Sequence, residues 1–151
     1  MEPSDKQIKE IADSIDAGFV CYVNPETGEM EEFTEGDELE IDLDEEEDEE
    51  YDEPTWQKDA RKQLKERIAR VNSWNKFVII RKPNSDEAFR FMEDFIEEII
   101  PEKEQKMFWK ALQWKKQFAN FNNLIHNSDY LEDWYTFKQQ KLMEYVREGL
   151  R

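Results

Sequence analysis

The stretch Asn84-Ser85-Asp86-Glu87-Ala88-Phe89-Arg90-Phe91-Met92-Glu93-Asp94-Phe95-Ile96-Glu97-Glu98-Ile99-Ile100-Pro101 decides how this chain folds. Asn84 to Glu87 reads as a capping box, with Asn at the cap and Glu at the third helical position, behind Pro83. Ala88, Met92, Phe95, Ile96, Ile99 and Ile100 then share one face, and the carboxylates Glu93, Asp94, Glu97 and Glu98 are expected in solvent. Pro101 opens a second helix that carries Met107, Phe108, Ala111 and Leu112. A third segment holds Phe118, Phe121 and Ile125 and ends near His126-Asn127. Ser128 or Asp129 caps a last helix whose expected buried set is Leu131, Trp134, Tyr135, Leu142, Tyr145 and Val146. No run from 84 to 151 reads as a strand, so this half is predicted to be a helical bundle with short connections.

Outward from that bundle the pattern changes. Ser4 caps a helix over 5–17, with Ile8, Ile11, Ala12 and Ile15 on one face and Gly18 at its stop. Phe19 to Val23 is β-rich, Asn24-Pro25-Glu26-Thr27-Gly28-Glu29 is a turn, and Met30 to Phe33 is a second short strand. Two strands are marginal alone, so the hairpin needs support from elsewhere. Leu39, Ile41 and Leu43 alternate with acids at strand spacing, and Asp44 to Glu53 then has nothing to bury. A helix over 55–72 carries Ala60, Leu64, Ile68 and Val71 as its apolar stripe, and Phe77 to Ile80 is a short strand stopped by Pro83. The predicted class is α+β, an N-terminal helix and β-hairpin packed on a mainly α-helical C-terminal bundle. The expected divisions are a helix plus hairpin over 1–35, an acidic linker over 36–54, and a helical domain over 55–151 with one strand near 77–80.

The composition explains why these parts differ. The chain has 151 residues, a net charge of −17 and a mean hydropathy of −1.01. Such values alone suggest disorder, but 13% aromatic residues are too much apolar surface to leave in water. The first 54 residues hold 23 acids and 2 bases, whereas the remaining 97 hold 15 acids and 19 bases. A mildly basic body is therefore hidden behind an acidic N-terminal third. One cysteine rules out an internal disulfide and a Cys-rich zinc module. No apolar run approaches a bilayer span, and MEPSDKQIKE lacks the pattern of a signal peptide, so no membrane partner and a cytoplasmic location are expected.

Four segments occur in a recognisable order: Thr27-Gly28-Glu29; the helix segment Ala88 to Ile96 with Met92-Glu93-Asp94-Phe95; Ala111-Leu112 followed by Lys116 to Phe121; and Trp134-Tyr135-Thr136-Phe137-Lys138. Together they resemble a bacterial uncharacterised protein family of the UPF class. Its pattern is a TGE turn, an ME-x-F helix, an A-L-x-x-[KR]-x-P-F-x-x-F segment and W-[YF]-x-F. The chain departs from it at Gln117, where the pattern often has proline and so a helix start signal. The resemblance implies no activity, cofactor or catalytic residue.

The residue inventory argues against catalysis. Cys21 lies mid-strand in an acidic neighbourhood, which raises a thiol pKa, and a buried structural role is expected for it. His126 ends a helix, where a cation suits the dipole. The four glycines form no phosphate-cradling loop, and Asp42 to Glu46 lacks the glycine and the entering helix of a calcium loop. No catalytic, cofactor or metal residue is assigned. Residues 55–82 hold nine bases against Asp59 and Glu66, which makes Arg61, Lys62 and Lys65 candidate anion or partner contacts. Trp109 with Lys116 is a second candidate, a stacking surface for single-stranded nucleic acid, set against packing of Trp109 and Trp114 on the last helix. The leading functional expectation is a non-enzymatic protein-interaction or regulatory module whose partner is another protein. Nucleic-acid or polyanion binding through the basic helix and Trp109, and an enzyme of unrecognised type, stay open as alternatives. Because residues 44–53 have no apolar periodicity, their deletion is expected to move the thermal midpoint by less than about 8 °C, as read by a circular-dichroism melt.

Overall fold

The structure, a computed structural model, describes residues 3–37 and 55–151. The expected strand spacing at Leu39, Ile41 and Leu43 and the acidic run that follows lie outside the described residues. The chain is α+β, with the helical C-terminal region that its periodicity predicts. It divides into two compact units, one of Met1–Lys82 with Val146–Arg151 and one of Pro83–Tyr145.

In the first unit, α1 (Asp5–Asp16) starts from a complete capping box. The Gln7 amide N–H donates to Ser4 Oγ at 3.2 Å, and Gln7 Oε1 accepts from the Ser4 N–H at 2.9 Å. Ile8, Ile11, Ala12 and Ile15 are all buried, and the helix packs on β1 (Val20–Val23). The turn to β2 (Met30–Phe33) closes with Asn24 N–H on the Glu29 carbonyl and Gly28 N–H on the Asn24 carbonyl, each at 2.8 Å. Gly28 sits at φ +80°, and a Cβ there would lie 2.2 Å from Gln7 Nε2. Glycine is thus favoured by the left-handed backbone, and a Cβ there would displace the Gln7 amide that caps α1.

The support that the hairpin needs comes from two further elements. β3 (Val78–Ile80) pairs antiparallel with β1 on the side away from β2, giving the order β2-β1-β3. The sequence marks Phe77 to Ile80 as a strand but carries no local signal for its partner, because strand pairing across 55 residues leaves no spacing to read. α2 (Thr55–Asn72) buries Leu64 and Val71 with Phe33, and Ile68, Tyr22 and Trp74 pack beside them. Ala60, expected in that stripe, is exposed. Tyr22 meets Phe33 edge-on with ring centroids 5.0 Å apart and stacks on Phe77 at 5.4 Å.

The second unit is built on aromatic contacts. α3 (Ser85–Glu98) starts with Asn84 Oδ1 accepting from the Glu87 N–H at 2.9 Å. Phe95 is fully buried at its centre, with ring centroids 5.2 Å from Trp134, 5.3 Å from Phe137 and 6.4 Å from Phe121. Phe108 and Leu112 of α4 (Glu102–Gln113), Phe121 and Ile125 of α5 (Gln117–His126), and Trp134 and Phe137 of α6 (Leu131–Gly149) complete that core with Met92, Ile96 and Ile100. Consecutive helical residues point about 100° apart. Trp134 takes the inward direction, so Tyr135, expected to be buried, is 54% exposed. Ile99 is exposed as well, because α3 ends at Glu98 and the chain turns before Ile100 enters the core. The last helix starts at Leu131, two or three residues beyond the expected caps, and Ser128 Oγ instead accepts from the Tyr130 N–H at 3.1 Å.

Phe95→Ala is expected to cost about 3–5 kcal/mol in a denaturant titration, since its three aromatic neighbours cannot all collapse into the space. Glu97→Ala on the exposed side of the same helix should change stability by less than about 0.5 kcal/mol.

Candidate functional site

Nucleophilic chemistry finds little support at the residues that suggest it. Cys21 is completely buried in the central strand. Burial pushes its thiol pKa up, the neighbouring Ser14 hydroxyl offsets part of that rise, and the Glu32 carboxylate adds to it. The reactive thiolate is thereby suppressed. His126 is the exposed last residue of α5 and belongs to the other unit. Among the described residues no group of three or more His, Cys, Asp or Glu side chains is placed to hold a metal ion. No helix among them is long and apolar enough to cross a membrane.

The basic helix spends part of its charge on its own fold. Arg67 Nη1 donates to the Glu32 carbonyl at 2.6 Å, its Nη2 lies 3.9 Å from Asp37 Oδ2, and its guanidinium sits 5.3 Å above the Phe33 ring. Arg70 pairs with Glu31, which is 92% buried, and Trp74 Nε1 donates to Glu29 Oε2 at 3.1 Å. Arg70 and the indole answer hairpin carboxylates, Arg67 answers a hairpin carbonyl and Asp37, and together they hold this part of the chain on the sheet. Arg61, Lys62 and Lys65 are exposed on the middle turns of the same helix. Trp109 and Lys116 belong to the second unit, so the five candidate residues fall into two groups. Trp109 is half-buried and packs against the aromatic core, whereas Lys116 is exposed in the turn between α4 and α5.

That turn belongs to a feature the sequence reading did not find. Met107, Lys110, Ala111 and Trp114 from α4 and its end, and Asn120, Asn123, Leu124 and Asn127 from α5, line an open groove of about 400 Å³. Met107 is 52% exposed and Trp114 69% exposed, although packing on the last helix is the sequence-based alternative for Trp114. The reason lies in the helix geometry. The core takes the Phe108–Leu112 stripe of α4, and Met107, Ala111 and Trp114 form a second stripe rotated about 110° from it. A helix apolar on two faces buries both only where two neighbours are present. Spacing of 107, 110, 111 and 114 against 120, 123, 124 and 127 was the available signal, the same i, i+3, i+4, i+7 interval on both helices. Phe118, on α5, is 41% exposed.

The turn is rigidly specified. Lys116 is the one non-glycine residue with positive φ among the described residues, at +64°. Asn120 Nδ2 donates to the Lys115 carbonyl at 3.0 Å and approaches that of Ala111 at 3.4 Å, which ties α5 to the end of α4. Asn127 Nδ2 is likewise engaged, on the Asn123 carbonyl at 2.8 Å. Trp114, Lys115 and Lys116 are thus displayed by a fixed backbone. No family model, curated protein or solved structure matches this chain.

Arg70→Ala is expected to cost more than about 1 kcal/mol, because it strands a buried carboxylate. Lys62→Ala should cost less than about 0.5 kcal/mol. Urea titrations of the two variants would check this separation of structural from surface cations.

Proposed function

We propose that this chain is a non-enzymatic protein-interaction module and that the α4–α5 groove is where a peptide segment of its partner docks. The single observation carrying this reading is the uncovered stripe of Met107, Ala111 and Trp114 facing Leu124. The unit buries Phe95, Phe108 and Phe121 almost completely, so a tryptophan left 69% exposed beside a methionine is a departure from its own packing rule. Tryptophan supplies large contact area at small entropic cost and recurs at the centres of binding sites. A pre-formed groove with a few amides along its wall also fits segment recognition better than catalysis. An exposed indole between lysines is equally a stacking platform, so single-stranded nucleic acid is the competing occupant.

The test is selection from a library of displayed random peptides on the intact protein. Selected peptides are expected to compete with one another and to lose about ten-fold or more in affinity on Trp114→Ala. Trp56→Ala, at a tryptophan of the same 69% exposure on α2, should leave them unaffected. Failure to select any peptide sensitive to Trp114 would remove the docking groove.

A further inference from the structure

We infer that the segment received by the α4–α5 groove is acidic and amphipathic, a helix of two to three turns with its apolar edge along Met107, Ala111 and Trp114 and carboxylates on its flanks. This rests on the reading of the groove as a protein docking surface. Four observations give the occupant its chemistry.

The first is charge. The chain has 38 acidic residues among 151, yet no Asp or Glu occurs anywhere from Gln105 to Ser128. Lys106, Lys110, Lys115 and Lys116 all fall within that interval, and all four are exposed. No ion pair engages any of them among the described residues, in contrast to Arg67 and Arg70 of α2, which are paired to Asp37 and Glu31. A basic segment entering this groove would meet ammonium groups and no carboxylate between Gln105 and Ser128, the acids of α4 being confined to Glu102 and Glu104 in its first turn. An acidic one meets Lys110 on the groove wall, with Lys106, Lys115 and Lys116 exposed on the adjoining parts of the chain.

The second is length. The stripe from Met107 to Trp114 spans seven residues of rise, about 10 Å, which matches two turns of a docked helix. Apolar anchors at i, i+3 or i+4 and i+7 on the partner would meet the same interval on α4. The third is the opposite wall. Asn123 and the second N–H of Asn127 present amide donors to a carboxylate without adding charge of either sign, whereas Asn120 is committed to the turn. The fourth is pre-organisation. The bond from Asn120 to the Lys115 carbonyl fixes the turn, so the lysines and the indole are held before binding rather than ordered during it.

The experiment uses the full chain and two fluorescent synthetic peptides that share leucines at the anchor positions. One carries Glu at every outward position, and its twin carries Lys there. Fluorescence anisotropy at low and at physiological ionic strength reads both, with oligothymidylate as a third ligand. The acidic peptide is expected to bind at least about ten-fold tighter than its twin, with the gap shrinking as salt screens it. Trp114→Ala should weaken the acidic peptide about ten-fold or more. Joint replacement Lys110→Glu and Lys116→Glu should reverse the preference, while Lys110→Arg and Lys116→Arg should keep it. Far-UV circular dichroism confirms that these exposed substitutions leave the fold intact.

Equal binding of the twins with retained sensitivity to Trp114 would overturn the acidic partner and leave the docking groove standing. Loss of the acidic peptide on Arg61, Lys62 and Lys65→Ala, with no effect of the groove substitutions, would move the site to α2 and overturn both. Oligothymidylate binding tighter than the acidic peptide and lost with Trp114→Ala would assign the groove to single-stranded nucleic acid instead. Binding of neither peptide overturns the inference, and the display selection then decides the fate of the groove.

Discussion

Strand β1 must be covered on two faces and two edges, and the first unit is arranged around that demand. Four residues cannot satisfy their backbone groups and side chains with β2 alone. β3 answers the free edge at Cys21, Tyr22 and Val23. α1 covers the strand with four buried aliphatic positions, and α2 covers Phe33 and Tyr22 with Leu64, Ile68 and Val71. The approach of Gly28 to Gln7 links the turn of the hairpin to the first turn of α1, so one glycine suits both the backbone and the packing there.

Charge does structural work in this unit. The hairpin carries carboxylates at Glu29, Glu31 and Glu32, and an acidic hairpin cannot be covered by a neutral helix without leaving Glu31 buried and unanswered. Arg70 meets that carboxylate, and Arg67 reaches the Glu32 backbone and stands over Phe33. Arginine suits this position because its long apolar stem packs while its planar head bonds at the rim. A stretch with nine bases therefore reads as an anion site in the sequence, whereas two of its arginines are already committed to the sheet.

The second unit follows a different economy. Phe95 receives one aromatic residue from α5 and two from α6, all in edge-to-face contact within 6.4 Å. A single central ring can accept only one stripe from each surrounding helix. α4 contributes Phe108 and Leu112 to that core and keeps a second apolar stripe outside it. The groove is thus a by-product of the packing centre, fixed in place by the turn through Lys116 and the Asn120 amide.

Periodicity by itself determined the elements. Caps at Ser4 and Asn84, apolar repeats at i, i+3 and i+4, and the Asn24–Glu29 turn are local signals, and each element stands within about two residues of where they put it. The inward direction of Phe95, Phe108, Phe121 and Trp134 was legible for the same reason, since one strong stripe per helix leaves little choice of face. Of the candidate site, the sequence named Lys116 and pointed to the α4 region through Trp109, but it chose the indole that packs and passed over Trp114 that does not. Only tertiary structure decided that point, and it also decided the partner of β3, the commitment of Arg67 and Arg70, and the exposure of Met107. Each depends on which neighbour occupies a given side of an element. A helix with two apolar faces looks the same in sequence whether it has two neighbours or one.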